Sequence, residues 1–130
     1  MNNVFMIHRL FGGMILPGLL LLAALWFTAA WQPGRWPDRP ARLLHALVDI
    51  QFLLGLTFWS YMVFVAGAGA KYLAFPFLLH PLLGLLAAAV AKYALRPGGR
   101  AARLGRWSPL ASFGLLLVLV LAAGRVAELV

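Results

Sequence analysis

Four long apolar runs, separated by short connections that carry most of the basic residues, dominate this chain of 130 residues. A helix needs about 20 predominantly apolar residues, at about 1.5 Å rise each, to cross about 30 Å of hydrocarbon. Runs over about 4–31, 42–65, 75–95 and 108–124 meet that length. Composition agrees, with 64% hydrophobic and 11% charged residues, against roughly half apolar and a quarter charged in soluble domains. The connections are short enough to make successive helices antiparallel neighbours. The expected fold is therefore all-α: a single integral membrane domain over 1–130, arranged as an up-down-up-down four-helix bundle. Asn3 is placed as an N-cap for the first helix, Pro76 as a first-turn proline in the third, and Ser108-Pro109 as cap and first residue of the fourth. The first run extends from Leu10 to Trp31, longer than a signal-peptide core, with no basic leader beyond Arg9, and is expected to be a membrane helix.

The formal charge of +8 does not point to nucleic acid, because the basic residues lie in connections and not in stripes with interleaved aromatics. It points to topology. Arg35, Arg39 and Arg42 accompany the first connection; Arg96, Arg100, Arg103 and Arg106 occupy the third, with Lys92 nearby. The opposite side carries Arg9, Lys71 and Arg125. Short basic loops stay in the cytoplasm, so both termini are expected on the outer face, in a bacterium the periplasmic side of the inner membrane. Trp31, Trp36 and Trp107 toward the inner ends, with Trp59, Tyr61 and Tyr72 toward the outer ends, fit two interfacial aromatic belts.

With no cysteine there is no disulfide framework, thiolate site or covalent haem attachment, and metal chemistry falls to histidine. His8-Arg-Leu-Phe-Gly12 in the first run echoes His80-Pro-Leu-Leu-Gly84 in the third. In the expected bundle these two helices run in the same direction across the core. With Val4 and Pro76 as first helical residues, both histidines fall five residues in, about 6 to 8 Å below the boundary. Two imidazoles at one depth are what a six-coordinate haem requires, one on each face. Gly12 and Gly84, each four residues after a histidine, lie on the same helix face as the ligand and leave room for a flat macrocycle. Gly13, Gly55 and Ala122-Ala123-Gly124 add further space, and Arg9 and Arg125 are the first choices for the propionates. Simpler roles stand beside these. Glycines support close helix packing, His8 fits a headgroup-level position, and His80-Pro81 fits a kink with the imidazole bonded to a freed carbonyl.

His45 lies toward the other end of the second run, with Asp49 one turn deeper and Gln51 nearby. A carboxylate inside a membrane is usually paired or placed in a polar cavity. Pairing of Asp49 with His45 or Arg42 is the structural reading, and a quinone headgroup site or proton relay the functional one. A second haem on His45 has no histidine in the fourth run to complete it, so at most one bis-histidine site is expected. Met6, Met14 and Met62 read as packing residues in preference to thioether ligands. The sequence contains no nucleophile constellation, catalytic acid pair or phosphate-cradling loop.

On His8, Gly12, His80 and Gly84, set in a four-run hydropathy pattern that spans nearly the whole length, the chain resembles small four-helix membrane cytochromes of b type and, more distantly, one half of a haem A synthase bundle. The resemblance implies a noncovalent haem b and electron transfer between quinones or soluble donors and a partner complex, an oxidoreductase component if an enzyme at all. Expected partners are the lipid bilayer, other membrane or respiratory subunits, or further copies of the chain. The alternative is a cofactor-free accessory subunit of a larger membrane complex.

Overall fold

The computed structural model describes residues 1–35, 38–93 and 100–128. Among these the chain is all-helical, without strands beyond an isolated bridge between Gln32 and Arg35. Helix α1 (Asn2–Ala29) contains a π-helical turn over Phe11–Ile15. Helix α2 covers Asp38–Phe64, the single-turn α3 Gly69–Tyr72, α4 Leu79–Tyr93, and α5 Ser108–Glu128 after a 3-10 stretch over Arg100–Trp107. Three of these helical segments are long and apolar enough to cross a membrane; α4, at 15 residues, is shorter.

Local chemistry sets the ends, and several differ from the sequence expectation. Helix α1 begins at Asn2 with no side-chain cap, so Asn3 is inside the helix and not its cap. Pro33-Gly34 forms a tight turn closed by Arg35 N–H donating to Gln32 O at 3.1 Å, with Gly34 at φ 74°, the backbone geometry for which glycine carries no Cβ penalty. Helix α2 opens at Asp38, earlier than expected, and contains Pro40 in its first turn. There a missing N–H costs nothing, since those donors have no intrahelical acceptor. Pro76 is not in the first turn of α4. It belongs to a coiled lead-in over 74–78, from which Leu79 and His80 N–H donate to Pro76 and Phe77 carbonyls at 3.0 Å each, and α4 proper starts at Leu79. Helix α5 starts at Ser108 as expected, but the Ser108 hydroxyl is buried with no hydrogen-bond partner and does not cap it. Trp36, Arg96 and Pro97-Gly98-Gly99 lie outside the described residues.

The packed core occupies one end of the molecule. Leu16, Leu20, Ala23 and Ala24 of α1 meet Phe113 and Leu116 of α5, Ala87 and Ala91 of α4, and Ala41, Leu44 and Val48 of α2. Alanines on α1, α2 and α4 let those backbones approach closely around Phe113 and Leu116 of α5, as small residues do between packed apolar helices. Large apolar side chains cover the outside instead: Leu22 is 65% exposed, Trp26 70% and Phe64 78%. An outer surface so apolar, on three helices long enough to span, suggests a membrane protein.

Candidate functional site

Beyond the alanine-lined core, at the other end, the same helices separate around a cavity of about 440 Å³, within the usual size range of small-molecule and cofactor sites. The N-terminal part of α1, the C-terminal parts of α2 and α5, and the start of α4 all line it. His8 and His80 both open into it, with ring centroids 5.9 Å apart and planes at 89°.

The expectation of equal helical offsets fails in detail: His8 is the seventh residue of α1 and His80 the second of α4. The rings meet because the lead-in before α4 is itself coiled, which restores the depth that its later start removes. Pro81, in the first turn of α4, frees no intrahelical carbonyl. The His80 imidazole is nonetheless bonded to a carbonyl, that of Ala123 on α5, at 2.7 Å from Nδ1. A carbonyl only accepts, so Nδ1 carries the proton in this contact, and in the neutral ring that leaves the lone pair on Nε2.

His8 is held differently. Its ring lies against Gly55 of α2: a Cβ added there would sit 2.6 Å from Cε1 and 3.2 Å from Nε2. Only glycine lets the imidazole approach that helix so closely. The His8 Nδ1 is buried with no hydrogen-bond partner. One turn before Gly55, the Gln51 side chain donates from Nε2 to the His8 backbone carbonyl at 2.9 Å, and its Oε1 is also buried without a partner.

Gly12 and Gly84 line the cavity, but not as open floor beside each ligand. A Cβ on Gly12 would collide with the Gln51 amide, and one on Gly84 would lie 3.1 Å from Phe52 Cδ2. Both glycines therefore seat side chains of α2, and the room lies in the cavity between the helices. Gly13 has nothing within 4 Å of an added Cβ. Arg9 lines the mouth together with Lys71. Arg125 does not line it, although Glu128, to which its guanidinium donates at 3.0 Å, does; the cations of the lining are Arg9 and Lys71.

His45 and Asp49 are outside this cavity. Asp49 is exposed on α2, and His45 Nε2 is buried with no hydrogen-bond partner, so no bond from that nitrogen reaches the carboxylate. Gln51, grouped by sequence with this pair, belongs to His8 instead. Sequence reasoning missed Gln51 and Phe52 as contact residues, although Leu44, Val48, Gln51, Phe52 and Gly55 follow the three- and four-residue spacing of one helix face. Among the described residues no three histidine, cysteine, aspartate or glutamate side chains gather to hold a metal ion. No protein-family model, curated protein or solved structure matches this chain.

Proposed function

We propose that this chain is a four-span b-type cytochrome or cytochrome-like subunit of a bacterial inner membrane, in which His8 and His80 hold one haem near the outer face. The observation that carries this reading is the pair of imidazoles 5.9 Å apart inside a cavity, one of them with Nδ1 committed to a carbonyl. Two imidazoles sharing one iron through Nε2, at metal–nitrogen bonds of about 2 Å, have ring centres about 6 Å apart. A ligating histidine almost always donates its other N–H to a carbonyl or carboxylate, which fixes the tautomer and raises the basicity of the ligand nitrogen. Edge-to-face ring packing alone also gives perpendicular planes, but it does not account for the cavity into which both rings open.

When bound, the haem supplies a one-electron ferric/ferrous couple. The chain does the rest: His80 is oriented by Ala123, His8 is seated on Gly55, and Arg9 and Lys71 at the mouth offer positive charge to carboxylates. The up-down-up-down arrangement is supported by the way alternate helix ends gather around the cavity. Outer-face termini are supported by the basic connections at the opposite end.

Protein purified in detergent is expected to be red, with a Soret band that sharpens on dithionite reduction, and the apoprotein to take up one equivalent of haem b. A colourless preparation that stays so on reconstitution would leave the accessory-subunit reading. For orientation, a reporter fused after Val130 is expected to be active only on the periplasmic side, and cytoplasmic activity there would reverse the assignment.

A further inference from the structure

Resting on the haem reading above, we propose that the two histidines are unequal: His80 is the permanent ligand and His8 a displaceable one, so that a neutral diatomic molecule binds on the His8 face beside the Gln51 amide. The difference begins with hydrogen bonding. His80 Nδ1 is tied to Ala123 O on a neighbouring helix at 2.7 Å, whereas His8 Nδ1 is buried with no partner. Loss of such a partner typically lowers metal affinity about 10- to 100-fold, and here it marks His8 as the weaker side.

The backbone carries the same asymmetry. His8 belongs to the Asn2–Leu10 part of α1, which has no buried residue. Three residues on, the helix widens into the π-turn over Phe11–Ile15, a feature frequent at functional sites and a local break in the regular hydrogen-bond pattern. His80 instead sits at the start of α4, which packs on α5 and is linked to it through the imidazole itself. One imidazole is thus hydrogen-bonded to a neighbouring helix, whereas the other ring has no such bond from Nδ1 and stands three residues ahead of a helical irregularity.

Gln51 completes the arrangement. Its amide nitrogen bonds the His8 backbone carbonyl, its Oε1 is buried without a partner, and the side chain lines the cavity. A polar group in the lining next to His8 would be the kind of feature that favours ligand binding over pure electron transfer.

The test uses the full haem-loaded chain in detergent, reduced with dithionite and titrated with carbon monoxide. Wild type is expected to convert to a carbonyl spectrum. His8→Ala is expected to reach the same final spectrum with association about ten-fold faster or more, because no side chain has to leave first. A low-spin wild-type spectrum that carbon monoxide leaves unmoved would overturn the inequality while leaving the haem reading intact. So would a wild-type adduct whose spectrum matches that of His80→Ala and not that of His8→Ala. Failure of the wild-type chain to take up haem would overturn both.

Discussion

A chain carrying His80→Ala is expected to lose low-spin haem absorption altogether, with haem affinity falling about 100-fold or more, as loss of a ligand exceeds the 10- to 100-fold cost of losing its supporting bond. The substitution removes two things at once. It deletes the Nε2 lone pair, and it cuts the link from α4 to α5 made by Nδ1 and the Ala123 carbonyl. Free imidazole separates these effects: restoration of the low-spin spectrum by added imidazole would assign the loss to the missing ligand in a bundle that is still folded. An unchanged low-spin spectrum in His80→Ala without imidazole would remove His80 from the coordination sphere.

Gly55→Val is the second substitution with a large expected effect, although Gly55 bears no chemistry of its own. The first added carbon would lie 2.6 Å from His8 Cε1, closer than real side-chain contacts allow, and a tight 3.3 Å from Nδ1, and an imidazole is a rigid plate that cannot yield at one corner. The ring must leave its seat. The expected result is a haem protein with only one axial histidine: high-spin ferric absorption, wild-type helix content by circular dichroism, and affinity reduced about 10-fold or more. Gly18→Ala is the matched control, since nothing lies within 4 Å of a Cβ at Gly18 and the residue is outside the cavity lining, and it should retain the wild-type spectrum. If Gly55→Val also keeps a low-spin spectrum, His8 does not rest where this packing puts it.

Much of the helical layout was legible because lipid imposes a simple rule: backbone polar groups must bond within their own segment, so long apolar runs become helices. That rule speaks to length and not to ends. Asn3, Pro76 and Ser108 carry good capping chemistry, yet the helices start at Asn2 and Leu79, and the Ser108 hydroxyl makes no cap bond. The histidine pair was legible from the matched His8–Gly12 and His80–Gly84 spacing, and the rings do meet. The surroundings were not, because the rotation of α2 about its own axis depends on what packs against it. That rotation brings Gln51, Phe52 and Gly55 to the histidines and turns Asp49 outward. Arg125 illustrates the same limit at a helix end, where a local partner, Glu128, takes the guanidinium.

The division of the molecule into a tightly packed end and a hollow one has a consequence for the empty chain. Ala24, Ala41 and Ala91 pack with Leu20, Phe113 and Leu116 outside the cavity lined by His8 and His80, so contacts that join all four helices do not pass through the hollow end. The haem-free chain is therefore expected to keep the helix content of the haem-loaded one by circular dichroism, and a large loss of helix on haem removal would show that the packed end does not stand by itself.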